Sequence, residues 1–130
     1  MTETATIRVL LVDDHEAMRM CLRMILRGED DLEVVGEAGT GAEALKQARR
    51  LEPDVVLMDV RLPDGSGVDF TRTLKDQQPE VQVVGLSMHD EQQVRDSMVS
   101  AGAANYIVKS RANEQMPEII RQATLDSAAD

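Results

Sequence analysis

The sequence predicts an α/β domain, a five-stranded, doubly wound parallel sheet in (βα)5 order. Three observations predict it. Short apolar runs rich in Val, Ile and Leu alternate with segments of helical period along the chain. The runs are continuous in hydrophobicity, as strands covered on both faces are. Polar residues close them: Asp13 and Asp14 after Ile7–Val12, Asp59 after 55–58, Ser87 after 81–86 and Lys109 after 106–108. In an open parallel sheet the ligand site lies outside the carboxyl ends of the strands. Four segments thus deliver three carboxylates, a hydroxyl and an ammonium to one edge of one sheet.

The elements follow in order. Ile7–Val12 is the first strand. Residues 15–27 have helical period, with Met18, Leu22, Ile25 and Leu26 on one face. Leu32–Ala38 is the second strand. Thr40 and Glu43 form a capping box, with Thr40 as N-cap and Glu43 reaching back, for a helix that runs to about Leu51. Pro53 breaks it, and 55–58 is the third strand. Leu62-Pro63-Asp64-Gly65-Ser66-Gly67 is a loop by composition. Residues 68–78 form a helix with Phe70 and Leu74 four apart, ended by Pro79. Residues 81–86 are the fourth strand and 91–101 the fourth helix, with Gly102 at its C-terminal cap. Residues 106–108 are the fifth strand. The last helix starts between Asn113 and Pro117 and places Met116, Ile120 and Ala123 on one face. Such alternation implies right-handed crossovers with helices on both faces of the sheet.

One domain is expected over residues 1–130, with a core spanning about 6–125 and a small polar tail from Asp126 that frays. The longest apolar runs are about six residues, far below the ~20 that span a bilayer. The start, Met1-Thr2-Glu3-Thr4, lacks the basic and apolar regions of a signal peptide. A net charge of −10 repels phosphate backbones and anionic lipids, so this segment is not expected to bind nucleic acid or membrane itself. Cys21 is the single cysteine, which excludes an internal disulfide and makes a reducing, cytoplasmic setting the simplest reading. Its place among Met18, Leu22 and Ile25 predicts a buried, unreactive thiol.

Each acid taken singly reads as a helix N-cap. The set does not. A helix start needs one acid, and three like charges at one edge destabilise the fold unless something positive binds there. Asp13, Asp14 and Asp59 therefore form a candidate cage for Mg²⁺ (or Mn²⁺), which takes oxygen ligands and keeps several waters. Asp59 is the candidate nucleophile, since carboxylates form covalent acyl phosphates. Lys109 offers a compact cation for a phosphoryl oxygen and Ser87 a hydroxyl donor. Alone, Lys109 reads as an exposed strand-end lysine and Ser87 as a turn residue; their joint placement points to function. Tyr106 reads from its residue type as a packed side chain with its hydroxyl at the rim. His15 and His89 flank the site without a third nitrogen or sulfur partner, which assigns them positions beside it or on the surface. Gly65 and Gly67 serve backbone geometry.

These residues resemble a known family. Leu11-Val12-Asp13-Asp14, the stretch from Leu57 to Gly65, Leu86-Ser87 and Tyr106-Ile107-Val108-Lys109 together resemble the receiver domain of two-component response regulators, over nearly the whole chain. Asp14-His15-Glu16, Leu86-Ser87-Met88-His89-Asp90 and Lys109-Ser110 are similar to the NarL/FixJ branch. The resemblance implies a flavodoxin-like, CheY-like receiver fold. It implies that Asp59 accepts a phosphoryl group from a sensor histidine kinase, and that the chain is a switch rather than an enzyme. Asp14 and Asp59 would ligate the metal directly, the Arg61 backbone carbonyl would be a third ligand, and Asp13 would act through water. Lys109 would hold the phosphoryl group, Ser87 would move toward it, and Tyr106 would swing inward behind Ser87. The face formed by the fourth helix, fifth strand and fifth helix would then repack. The expected partners are that kinase, an output domain or target protein, and a second copy of the chain on phosphorylation.

Some features depart from the family. Met88 is bulky where a small residue is common, and is expected to narrow access to Asp59. Arg61 and His89 lie where the family varies its dephosphorylation rate. Members of the NarL/FixJ branch usually carry a C-terminal helix-turn-helix domain, so this chain is expected to be the receiver portion of a longer transcriptional regulator; the alternative is a stand-alone receiver or a pseudo-receiver acting through protein contacts. A Mg²⁺-dependent aspartyl phosphatase fits less well, because it needs a second Asp two residues after the nucleophile, where Asp13 and Asp14 are followed by His15 and Glu16. A flavodoxin-like cofactor carrier needs a phosphate loop where this chain is acidic.

Overall fold

The computed structural model describes residues 6–129, with side chains described through residue 125. The expectation for the first four residues lies outside this range. Five strands form one sheet: β1 Ile7–Val12, β2 Leu32–Ala38, β3 Val55–Asp59, β4 Gln82–Ser87 and β5 Asn105–Val108. Their order is β2-β1-β3-β4-β5, every neighbouring pair parallel. Among the described residues five helices connect and follow them: α1 Glu16–Arg27, α2 Gly41–Leu51, α3 Gly67–Gln77, α4 Gln92–Ser100 and α5 Ala112–Ala129. A 3-10 turn, Lys109–Arg111, joins β5 to α5.

Alternation along each strand builds two cores. Val9, Leu11, Leu57 and Leu86 pack with Leu22 and Leu26 of α1 and Met116 and Ile120 of α5. Leu10, Val12, Val56 and Met58 pack on the other face with Ala44 and Ala48 of α2, Leu74 of α3 and Met98 of α4. Both faces of β1 and β3 are covered, which is why these strands are continuously apolar. Each large aliphatic side chain buried this way contributes about 1.5–3 kcal/mol.

Local chemistry ends the elements where expected, with a few shifts. Thr40 caps α2, its Oγ1 accepting from the Glu43 amide at 3.1 Å. The amides of Gly41 and Ala42 are satisfied from elsewhere in the chain, by the carboxylate of Asp64 at 2.8 and 3.0 Å. Gly102 follows α4 with φ +111°, a conformation glycine adopts without penalty. The loop after β3 is not wholly irregular: Arg61–Leu62 pairs antiparallel with Gly65–Ser66. α5 starts at Ala112, earlier than predicted, and carries Pro117 inside it. It continues to Ala129, through the tail expected to fray.

Cys21 corrects the sequence reading, because it is exposed. Successive helical residues turn about 100°. Leu22 and Leu26 point into the core, so Cys21 lies about 100° from Leu22 and falls outside the buried arc. Among the described residues no helix is long and apolar enough to cross a membrane.

Candidate functional site

The chain leaves β1 toward β2 on one side and reaches β3 on the other, so a crevice opens at the carboxyl ends of β1 and β3. Register aligns the polar residues there. Val12 pairs with Met58, Asp59 with Leu86, and Ser87 with Val108. A cavity of about 310 Å³ opens at this rim, bordered by Asp14, Asp59, Arg61, Ser87, Met88 and Lys109.

Asp13 is fully buried. Its Oδ1 accepts from the His15 amide at 2.9 Å, and its main-chain carbonyl accepts from Arg19 at 2.6 Å. Arg19 also donates to Glu37 of β2, so it pins the turn after β1 to the neighbouring strand. The second oxygen of Asp13, Oδ2, lies 2.7 Å from the ammonium of Lys109. Asp14 is more exposed and borders the cavity. Asp59 is 4% exposed. It accepts from the Arg61 amide at 3.1 Å and from Lys109 at 3.0 Å. One ammonium therefore touches two buried carboxylates from separate strands.

Burial raises the pKa of Asp59 above the usual carboxylate value; its bonds to the Arg61 amide and to Lys109 oppose that rise, and Asp13 adds to it. Burial pulls Lys109 down, but its contacts with Asp13 and Asp59 outweigh it and hold the ammonium above its ordinary value. Three carboxylates thus converge where one ammonium serves two of them. An oxygen donor from each acid, with Nδ1 of His15, falls within 4.8 Å of the others. This excess of negative charge on carboxylate oxygen donors fits a small divalent cation.

Ser87 is half-buried, and its Oγ accepts from the His89 amide at 3.3 Å. Tyr106 is 3% exposed, with its hydroxyl donating to the His89 carbonyl at 2.7 Å and the Arg95 guanidinium 4.6 Å from its ring centroid. The hydroxyl lies inside the loop after β4 rather than at the rim. Met88 borders the cavity and is 67% exposed.

All the site residues named from the sequence meet at this edge, except Tyr106, which reaches it through His89. Sequence reasoning missed Arg19 and the tether made by Asp64. It also placed His15 beside the cluster, whereas its Nδ1 is turned into it. Arg19 left one signal, a cation one helical turn after His15; Asp64 left none beyond a turn-forming residue type.

Comparison with known proteins agrees with this geometry. The sequence model of the response regulator receiver domain matches residues 9–121. The chain is 43% identical over 115 residues to response regulator GacA of Pseudomonas viridiflava, covering 88% of this chain and 54% of that protein. It is 36% identical over 115 residues to the DNA-binding transcriptional activator DevR/DosR of Mycobacterium tuberculosis, covering 88% and 53%. The chain spans about half the length of these curated relatives. The response regulator domain of Thermotoga maritima CheB superposes with a TM-score of 0.84 at 30% identity, over 92% of this chain and 97% of that one. The signal receiver domain of a response regulator NarL from Mycobacterium tuberculosis superposes with a TM-score of 0.83 at 28% identity, over 97% and 99%. With the strand order, the acid cluster at β1 and β3 and the lysine after β5, these matches place the chain in the family of response regulator receiver domains.

Proposed function

We propose that Asp59 accepts a phosphoryl group from a sensor histidine kinase and that this chain relays the change to an output domain. The observation that carries it is the buried Asp59 carboxylate, facing a solvent cavity with Lys109 beside it. An Asp59 oxygen bonds to phosphorus as the donor's P–N bond breaks, and the electron pair of that bond stays on the kinase imidazole. Lys109 then holds a phosphoryl oxygen. Asp14 and Asp59 would hold Mg²⁺ (or Mn²⁺) with the Arg61 carbonyl, and Asp13 through water. The metal, when bound, supplies charge neutralisation between carboxylate and phosphoryl oxygens.

Readout follows from the His89 peptide. Its N–H is held by Ser87 and its carbonyl by Tyr106. Movement of the Ser87 hydroxyl toward new phosphoryl oxygens loads that peptide and, through it, Tyr106 against α4. The face of α4, β5 and α5 is the surface this displaces, and phosphorylation biases its two packings. The likeness to a DNA-binding transcriptional activator, DevR/DosR, which extends beyond the matched segment, supports a DNA-binding output and control of transcription. Partners are the kinase, that output domain and a second copy on phosphorylation; the chain works in the cytoplasm and acts as a switch, assisting its own phosphorylation and dephosphorylation.

Intact mass after incubation with acetyl phosphate and Mg²⁺ tests the reading. One added phosphoryl group per chain, dependent on Mg²⁺ and absent from Asp59→Asn, is expected. Persistent labelling of the variant would remove Asp59 from its role, and no adduct on the native chain would overturn the receiver function.

A further inference from the structure

One side chain at the acidic cavity is not used by phosphoryl transfer. His15 is the N-cap residue of α1, with extended backbone and no side-chain cap hydrogen bond. Its side chain is 72% exposed and not confined by packing, yet its imidazole turns toward the acids. Nδ1 lies 3.1 Å from Oδ1 of Asp14 and 3.4 Å from Oδ1 of Asp13. Donor atoms about 2.1 Å from a shared ion stand roughly 3 Å apart at the cis edge of an octahedron and roughly 3.4 Å apart in the tetrahedron zinc usually takes. The His15–Asp14 pair already has the separation of a cis edge. The four donors lie within 4.8 Å of one another, and the two His15 pairs already stand near the separations of a shared ion.

We infer that His15 is a ligand in this site, and that through it the site takes a borderline transition dication such as Zn²⁺ or Ni²⁺ by mixed nitrogen and oxygen coordination. The inference rests on the cation-site reading above and adds to it. Magnesium is a hard ion that draws on carboxylates, carbonyls and water, and the His15 nitrogen adds little to its binding. Imidazole suits zinc and nickel, and affinity for such sites rises along the first-row series toward them. The exposure of His15 places it at the outer, water-facing side, so the nitrogen donor is available without rearrangement of the buried acids. A transition ion held there shares Asp14 and Asp59 with Mg²⁺. The two ions therefore compete, and His15 sets how strongly the transition ion displaces the one that supports phosphorylation.

Calorimetry with Zn²⁺ alone and Mg²⁺ alone tests this on the full chain, His15→Ala, His15→Gln and His89→Ala. Zn²⁺ affinity is expected to fall at least about tenfold in both His15 variants. Mg²⁺ affinity should stay within about twofold in all of them, and Zn²⁺ affinity within about twofold in His89→Ala. Nitrogen-15 spectra should show Zn²⁺ shifting Nδ1 of His15 directly. An equal loss of Zn²⁺ and Mg²⁺ affinity in His15→Ala, or an unmoved Nδ1 resonance, would overturn the inference while leaving the cation site intact. Failure of the native chain to bind either ion would instead overturn the cation-site reading itself.

Discussion

Lys109 faces two buried carboxylates at once, and its own side chain is only 8% exposed. Removing it leaves Asp13 and Asp59 as like charges without a counterion. Breaking a fully buried pair costs about 3–5 kcal/mol; the cavity lets water reach Asp59 but not Asp13, so Lys109→Met should cost about 3 kcal/mol at neutral pH. Denaturant unfolding measures it. Asp59 acts in the opposite sense. Its pKa is raised by burial, so between the ordinary value of 3.8 and the raised folded value the folded chain holds more protons than the unfolded one. Stability attributable to Asp59 therefore falls as pH rises through that window. Asp59→Asn should remove this fall and melt higher than the native chain at neutral pH, a comparison of melting curves against pH. A group that destabilises its own fold is expected where a site is built for charge chemistry.

At the scale of elements, the turn after β3 is held at both ends. Gly67 brings its amide to the Val60 carbonyl at 2.7 Å, and a Cβ at this position would stand 2.0 Å from the Asp59 carbonyl oxygen. Backbone occupies that space, so only glycine lets α3 start so close to the strand that carries Asp59. Gly67→Ala should cost about 1–3 kcal/mol and displace the turn. Urea unfolding together with the acetyl phosphate labelling rate checks both effects, and an unchanged rate would show that the displacement does not reach Asp59. At the other end Asp64 ties this turn to the start of α2. That bond lowers the Asp64 pKa, through the Gly41 and Ala42 amides. The tie therefore holds above the ordinary carboxylate value and weakens as pH falls through the depressed one.

Across the whole molecule, a net charge of −10 is concentrated in part at one sheet edge. A cation that binds only the assembled cluster stabilises the folded state by mass action. Saturating Mg²⁺ should therefore raise the melting temperature of the native chain, by several degrees at about a hundredfold excess over its dissociation constant. The same addition to Asp14→Ala should raise it less. Differential scanning calorimetry reads both, and equal shifts would remove Asp14 from the proposed ligand set.

The order of the elements, the parallel sheet and the edge on which the acids gather were legible in the sequence. Val-, Ile- and Leu-rich runs covered on both faces read as buried strands, and parallel topology sends their carboxyl ends to one side. Boundaries shifted by a residue where a polar residue joined a strand, as at Asp59 and Ser87, because hydrophobicity marks the core and not the ladder. What only the tertiary structure decided depends on side-chain direction between distant segments. The bridge from Lys109 to Asp13 and Asp59, the cap that Asp64 lends to α2, the inward Tyr106 hydroxyl, the exposure of Cys21 and the turn of His15 into the acids are of this kind. Helical period places a residue within an arc, and strand alternation places it on a face. Neither gives the rotamer nor the crossing of elements that brings residues 50 apart into contact.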